Sequence, residues 1–178
     1  MIAVAAGARA RPQTGRSVGV PPPNRLFSAV VRRRRGVGRA LKARNPDITI
    51  GLSDPGGSGL HHYYAHGEIA IEGSSITEGI GNSRITENLA GSPVDISWQI
   101  PDSEAIPTAF NLVRNEGLVL GGSSGINVMG AVRLARELGR GHTIVTILCD
   151  SMLRYQERML NREFLESRGL SLPAWLDV

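Results

Sequence analysis

A turn rich in glycine and serine contains the residue types in this chain that are best suited to bind a ligand. Leu120-Gly-Gly-Ser-Ser-Gly125 follows an apolar stretch and precedes a helical pattern. Glycines let the backbone approach a ligand, and a helix start presents free N–H groups and the positive end of the dipole. The hydroxyls of Ser123 and Ser124 can donate to a ring nitrogen or a phosphate. Taken alone, small residues at such a turn are more typical of packing and capping.

Other reactive side chains form weaker patterns. His62 and His66 have the i,i+4 spacing of metal ligands on a helix, with His61 beside them, but no Glu or Cys at motif spacing accompanies them. Cys149 ends an apolar segment and is more typical of a buried thiol than of a nucleophile, because no positioned histidine can be identified. We therefore predict neither a metal site nor a catalytic cysteine.

Three helices and a helical tail are predicted from apolar spacing and end signals. The first runs from Val37 to the turn Asn45-Pro46-Asp47, and the second from a cap at Asp102 to Gly117. The third runs from about Ile126 to Leu138, and apolar residues from Leu153 onward indicate the tail.

Strand patterns alternate with these helices. The predicted strands are Ile48–Leu52, Val94–Ile100, a short buried strand Leu118–Leu120 and a strand buried on both faces, Thr143–Cys149. Such alternation predicts an α/β fold with three layers, a mostly parallel sheet and flanking helices. Sites in such sheets lie at the carboxyl ends of the strands, which here are followed by Gly121–Gly125 and Asp150–Arg154.

The positive charge of the chain is concentrated at its start. Residues 1–35 contain eight arginines and no acid, which gives them a charge of +8. Because the net charge of the whole chain is +4, residues 36–178 carry a net charge of −4. We predict that residues 1–35 are a basic, mostly disordered or non-native leader and that residues 36–178 form the α/β domain. An organelle transit peptide and a functional basic arm that binds nucleic acid are the alternatives for the leader.

Composition excludes further classes. There is one cysteine, so no intrachain disulfide can form. No apolar run approaches the roughly 18 residues that a membrane span requires. We therefore expect a cytoplasmic protein with no membrane partner.

Four segments, in order over residues 36–178, form a recognisable set. They are Val37–Asp47, Glu72–Gly81, Glu116–Asn127 and His142–Ser151, the last with Arg154-Tyr155-Gln156. Together they resemble the C-terminal part of cysteine synthase (O-acetylserine sulfhydrylase), a pyridoxal-phosphate enzyme of the tryptophan-synthase-β-like fold.

The resemblance implies pyridoxal 5'-phosphate as cofactor and a β-replacement in which O-acetylserine and sulfide give cysteine and acetate. It places Ser123 at the pyridine nitrogen, Gly79 and Ile80 in the loop that faces the cofactor, and Ser124 with Gly125 at the start of the following helix. It further implies an amino-acid substrate, a homodimer and a serine acetyltransferase tail as partners.

The chain departs from the family pattern at three places. The family's Schiff-base lysine lies in an upstream region, and the only lysine here, Lys42, belongs to a surface-type helix. Arginines occupy Val30–Gly36, where the family has its glycine-rich phosphate loop, and Met152 stands where the family has a glycine whose turn can need a positive φ.

We therefore expect an incomplete form of the family fold with no catalytic residue, hence a cysteine synthase fragment that is inactive alone. The alternatives are a non-catalytic binding protein or partner subunit that retains the family docking surface, and a nucleic-acid binder that uses the basic arm.

Overall fold

The computed structural model of the chain describes residues 2–8 and 34–176. The strands are β1 (Ile2–Ala8), β2 (Thr49–Pro55), β3 (Ile96–Ile100) and β4 (His142–Val145). The α-helices are α1 (Arg34–Arg44), α2 (Leu60–His66), α3 (Asp102–Glu116), α4 (Gly122–Leu138), α5 (Gln156–Met159) and α6 (Arg162–Ser167). Within these residues, two 3-10 helices span Met152–Tyr155 and Ala174–Leu176. The predicted α/β alternation is confirmed.

The four described strands form one sheet in the order β3-β2-β1-β4. β2 and β3 are parallel, with Gly51 opposite Ile96 and Pro55 opposite Ile100. β1 is antiparallel to both β2 and β4. Because β1 runs opposite to both of its neighbours, the described strands β2, β3 and β4 all run in the same direction and β1 alone is reversed.

The strand β1 lies within the predicted leader. Composition places residues 2–8 with the arginine-rich residues that follow, whereas the structure pairs them with β2 on one side and β4 on the other. A short run of small and apolar residues without charge suits an interior strand, which explains the difference. Residues 9–33 lie outside the described residues, so the disorder of that part of the leader stays a prediction.

Helices cover both faces of the sheet. The hydroxyl of Ser97 in β3 lies 2.9 Å from Nδ1 of His61 in α2. The next residue, Trp98, packs in a cluster with Ile126 and Met129 of α4. Since successive residues of a strand point to opposite faces, α2 and α4 lie on opposite sides of the sheet. The three-layer arrangement is therefore confirmed.

The helices α3 and α4 are in backbone contact near the start of α4. A Cβ atom placed on Gly125 would lie 2.1 Å from the carbonyl oxygen of Ala105. Only glycine allows this approach, and buried Ile100, Ala105 and Ile126 form the apolar cluster beside it. The contact fixes the first turn of α4 against α3.

Two predicted strands are shorter in the structure. Leu118–Leu120 forms only an isolated bridge between Leu120 and Ser151, and Leu118 and Val119 are 39% and 41% exposed rather than buried. The strand that was predicted over Thr143–Cys149 ends at Val145. β4 is the last strand of the described sheet, so it is paired on one side only and its residues are half-buried.

Candidate functional site

The glycine-serine turn forms the first turn of α4, which begins at Gly122 rather than near Ile126 as predicted. Gly121 is the extended residue before the helix, with φ −69° and ψ 170°. Its N–H donates to the carbonyl oxygen of Asp150 at 2.9 Å. The turn is thereby joined to the segment that follows β4, the second loop expected at the carboxyl ends of the strands.

The two serines of the turn have different environments. Ser124 is fully buried, and its Oγ accepts a 2.8 Å hydrogen bond from the N–H of Cys149. Ser123 is 8% exposed, and within the described part of the chain its hydroxyl has no hydrogen-bond partner. Because mostly buried hydroxyls are normally paired, Ser123 is the hydroxyl left to bind a ligand. Ser124 instead holds the turn in place.

The loop that contains the predicted residues Gly79 and Ile80 lies against this turn. Ile80 packs on the cluster that includes Ile126 of α4, whereas Gly79 is exposed with φ 73°. Oγ1 of Thr77 would lie 2.7 Å from a Cβ atom placed on Gly122, so this loop meets the helix start directly. Thr77 was not predicted as a site residue. Its only signal in the sequence is its position within the segment Glu72–Gly81.

Thr77 also provides a second unpaired hydroxyl. Its Oγ1 is buried and has no hydrogen-bond partner among the described residues. It is adjacent in space to Gly122, the residue before Ser123. The start of α4 therefore combines two unpaired hydroxyls with the positive end of a helix dipole.

Asp102 does not cap α3 as predicted. Pro101 occupies the position before the helix. The carboxylate of Asp102 instead accepts hydrogen bonds from the Ser75 hydroxyl at 2.5 Å and from the N–H of Ile76 at 2.7 Å. The Ser75 hydroxyl in turn accepts from the N–H of Thr77 at 3.0 Å. Asp102 thus fixes the loop just before Thr77.

The segment after β4 packs on the other side of the turn. The Tyr155 hydroxyl donates to Oδ2 of Asp150 at 2.5 Å, and this hydrogen bond raises the pKa of the Tyr155 phenol. The Tyr155 ring lies 3.1 Å from a Cβ atom placed on Gly121, so a larger residue there would displace it. A cavity of about 500 Å³ opens beside Tyr155, lined by Glu78 and Leu153–Arg158.

Met152 does not strain its turn. No described residue other than glycine has a positive φ, and Met152 begins a 3-10 helix. Its side chain is buried in an apolar cluster that includes Phe110. The turn at this position therefore does not require glycine in this chain.

The lysine lies far from the turn. Nζ of Lys42 pairs with Oδ1 of Asp95 at 2.7 Å, and Oδ2 of Asp95 accepts from the N–H of Ile50. Ile50 is near the amino end of β2, whereas the loop at Gly81 approaches Pro55 at its carboxyl end. A strand rises about 3.3 Å per residue, so roughly 17 Å separate the two ends.

The remaining candidates have structural contacts. His61 bonds to Ser97, and Nδ1 of His62 lies 2.9 Å from the carbonyl oxygen of Glu68. Within residues 2–8 and 34–176, no three His, Cys, Asp or Glu side chains are grouped for a metal ion. Cys149 is half-buried rather than buried, and its Sγ lies 3.6 Å from Nδ2 of Asn127.

The structure defines an α/β protein in which a glycine-serine turn with two unpaired hydroxyls beside it begins a helix. The sequence model of the family described as "Pyridoxal-phosphate dependent enzyme" matches residues 35–150. This match covers more than half of the chain, and the chain therefore belongs to the pyridoxal-phosphate dependent enzymes.

Its relatives include cysteine synthases, as the resemblance predicted. The chain is 39% identical over 157 residues to cysteine synthase 2 of Schizosaccharomyces pombe, covering 80% of this chain and 40% of that protein. It is 47% identical over 123 residues to cysteine synthase 1 of Neurospora crassa, covering 67% of this chain and 33% of that protein. The chain thus spans well under half the length of these relatives.

A solved structure shows the same fold relationship. The O-acetylserine dependent cystathionine beta-synthase from Helicobacter pylori aligns with a TM-score of 0.53 and 30% identity. The alignment covers 61% of this chain and 33% of that structure. The relationship confirms the α/β fold of pyridoxal-phosphate enzymes that was expected from the sequence.

The residues of this chain fit one side of the coenzyme that the family implies, pyridoxal phosphate. The unpaired hydroxyls of Ser123 and Thr77 at the start of α4 suit a ring that accepts hydrogen bonds. Lys42 does not fit the role of Schiff-base residue, because its amine is paired with Asp95 at the opposite end of the sheet. The described residues therefore include two hydroxyls suited to a ring contact, while the one lysine of the chain is paired elsewhere.

Proposed function

We propose that this chain contributes the ring-nitrogen side of the coenzyme pocket of a cysteine synthase and does not attach the coenzyme covalently by itself. The observation that carries the proposal is the separation between Ser123, unpaired at the start of α4, and Lys42, paired with Asp95 at the opposite end of the sheet. Conversion of O-acetylserine and sulfide to cysteine and acetate then belongs to an enzyme in which residues other than these 178 supply the lysine.

The role of Ser123 follows from the chemistry of its hydroxyl. A hydroxyl donates a hydrogen bond to a ring nitrogen but is too weak an acid to protonate it. The positive end of the α4 dipole also disfavours a charged ring nitrogen. The coenzyme, when bound, supplies an electron sink, and an uncharged ring nitrogen makes that sink a mild one suited to β-elimination.

Neighbouring residues keep Ser123 in position. Ser124 bonds to the N–H of Cys149, and Asn127 donates to the carbonyl oxygen of Ile147 at 2.9 Å. Both bonds join the first turns of α4 to the segment after β4. Thr77 covers Gly122 from the loop side, and its hydroxyl is directed at the same helix start.

Coenzyme binding and covalent attachment can be measured separately. Pyridoxine 5'-phosphate has no aldehyde, so its fluorescence titration reports binding of the ring alone. We expect Ser123→Ala to weaken this binding and Lys42→Ala to leave it unchanged. No binding to the wild-type chain would contradict the proposal.

Attachment is tested with pyridoxal phosphate, borohydride and peptide mapping. We expect any labelling of Lys42 to be the same in the wild type and in Ser123→Ala, because the two residues lie in different places. Labelling of Lys42 that disappears in Ser123→Ala would place the amine and the hydroxyl in one site and would overturn the proposal.

The partners of the assembled enzyme are proposals on the same basis. They are an amino-acid substrate, a second copy in a homodimer and the tail of a serine acetyltransferase, all in a cytoplasmic setting. Among the described residues, no helix combines the length and the apolar character that a membrane span requires. A non-catalytic subunit that retains only the docking surface would bind such a tail without binding pyridoxine 5'-phosphate. The same titration therefore distinguishes this subunit from a chain that binds the coenzyme ring.

A further inference from the structure

A buried carboxylate lies at the carboxyl end of β2. Asp54 is fully buried, and its Oδ2 accepts from the N–H groups of Leu60 at 3.0 Å and His61 at 2.8 Å. Its Oδ1 accepts from the Ser58 hydroxyl at 2.7 Å. Burial raises the pKa of the Asp54 carboxyl. A buried carboxyl that is costly to ionise and fully hydrogen-bonded fixes the residues around it.

Ser58 connects this carboxylate to the loop at the site. Its Oγ accepts from the N–H of Asn82 at 2.9 Å and lies 3.0 Å from the Asn82 carbonyl oxygen. That carbonyl already accepts from the N–H of Gly59 at 3.0 Å. The single proton of the Ser58 hydroxyl is therefore best used toward Asp54, at the shorter distance of 2.7 Å.

The residues before Asn82 lie directly between this network and α4. Gly81 has φ 84°, and a Cβ atom on it would lie 2.8 Å from Cβ of Ser58. Ile80 packs with Ile126 in the first turns of α4. A shift of Ser58 would therefore be transmitted through Gly81 to Ile80 and the helix start.

We propose that Asp54, acting through the Ser58 hydroxyl, is a positioning residue that holds the loop Gly79–Asn82 against the start of α4. This inference deepens the proposed function and rests on it for its consequence at the coenzyme. Asp54 and Ser58 do not touch the ring contact at Ser123. They set the position of the loop that lies beside it.

The geometry makes a directional prediction for two substitutions of Asp54. In Asp54→Asn, the amide oxygen can still accept from Leu60 and His61, and the amide N–H can donate to Ser58. Ser58 then turns its own proton to the Asn82 carbonyl, so the three groups that bond to Asp54 all keep a partner and only the second N–H of the new amide has none. Asp54→Ala leaves the two N–H groups and the Ser58 hydroxyl without that partner.

The experiment compares amide hydrogen exchange of Gly79–Asn82 in the full chain with that in Asp54→Asn, Asp54→Ala and Ser58→Ala. We expect roughly tenfold or faster exchange in Asp54→Ala and Ser58→Ala, and exchange near the wild-type rate in Asp54→Asn. Leu41→Ala is the matched control, because Leu41 is buried in α1 in a different apolar cluster and its truncation destabilises the domain as a whole.

The outcomes separate the possibilities. Exchange in the loop that is unchanged in Ser58→Ala, or that is equally fast in Leu41→Ala, would overturn the inference, since only a general loss of stability would be at work. Loss of protection in Asp54→Asn as large as in Asp54→Ala would also overturn it.

Titration with pyridoxine 5'-phosphate should show roughly tenfold weaker binding in Ser58→Ala than in Asp54→Asn. If the wild-type chain does not bind this probe, the proposed function fails, and the exchange rates still decide the role of Asp54.

Discussion

The hydroxyl of Ser124 accepts a 2.8 Å hydrogen bond from the backbone N–H of Cys149, whereas that of its neighbour Ser123 bonds to no described residue. Both side chains are buried at the first turn of one helix. Two identical residues therefore have separable roles, since one joins α4 to the segment after β4 and the other is available to a ligand.

This difference predicts unequal effects of the same substitution on stability. Ser124→Ala leaves the N–H of Cys149 without its partner and should lower the free energy of unfolding by about 1–3 kcal/mol. Ser123→Ala removes no internal hydrogen bond and should change that free energy by less than about 0.5 kcal/mol. Urea denaturation of the two variants measures both values. Equal losses would mean that the Ser123 hydroxyl also makes a stabilising hydrogen bond, and would contradict the separate roles of the two serines.

Gly125 is predicted to be intolerant of any side chain. In Gly125→Ala the new Cβ would meet the Ala105 carbonyl oxygen at 2.1 Å, a backbone atom that moves only if α3 and α4 separate. We expect a loss of roughly 3 kcal/mol or more in the free energy of unfolding. Gly36→Ala in α1 is the control, because no described atom outside its own helix turn lies within 4 Å of the new Cβ there. Higher helix propensity should make that variant more stable by up to about 1 kcal/mol.

A thermal unfolding series compares these two glycine variants directly. A Gly125→Ala protein as stable as the wild type would mean that the two helices are not in backbone contact. Loss of stability in Gly36→Ala would mean that residue 36 is not helical.

Local sequence signals were sufficient for much of the fold. Apolar spacing gave the helices near residues 37–44, 102–116 and 126–138, and the predicted stop at Gly117 is confirmed by its positive φ of 69°. The turn at Gly121–Gly125 was found because glycine and serine between an apolar run and a helix have a direct structural meaning. Ser123 and Ser124 were both singled out, although only the structure separates their contacts.

Long-range contacts account for what the sequence did not reveal. Asp102 has the residue type and position of a helix cap. Only the folded chain shows that its carboxylate bonds to Ser75 and Ile76 instead of to the start of α3. Ser58 bonds both to Asp54 and to Asn82, which lies 24 residues after Ser58. No periodicity or local motif encodes such a pair. The strand Ile2–Ala8 was likewise missed because its partners are distant in sequence.

The stability of the domain should depend on the charge of His61. Burial lowers the pKa of the His61 imidazole below its ordinary value of 6.5. The unfolded chain therefore binds the proton first as the pH falls, so the contribution of His61 is fully present above pH 6.5 and is lost below it. We expect a loss below about 1 kcal/mol, because the ring is partly exposed to solvent.

Chemical denaturation from pH 7.5 to pH 5.5, as rough limits around the ordinary histidine pKa, measures this effect. His61→Gln retains a polar contact with Ser97 without a titrating ring and should remove that part of the pH dependence. Identical pH profiles for the two proteins would contradict the assignment.

The position of β1 inside the sheet gives the last prediction. Ala5 lies opposite Ile50 of β2 and Val145 of β4, so it is paired with strands on both sides. Proline lacks the N–H and does not fit an interior strand, and Ala5→Pro should therefore lower the free energy of unfolding by about 1–3 kcal/mol. Ala10→Pro, in the arginine-rich segment outside the described residues, is the matched control and should have little effect if that segment is disordered as predicted. Thermal unfolding of both variants decides between a structural strand and a leader that is disordered from its first residue, because only the second case leaves Ala5→Pro as stable as the wild type.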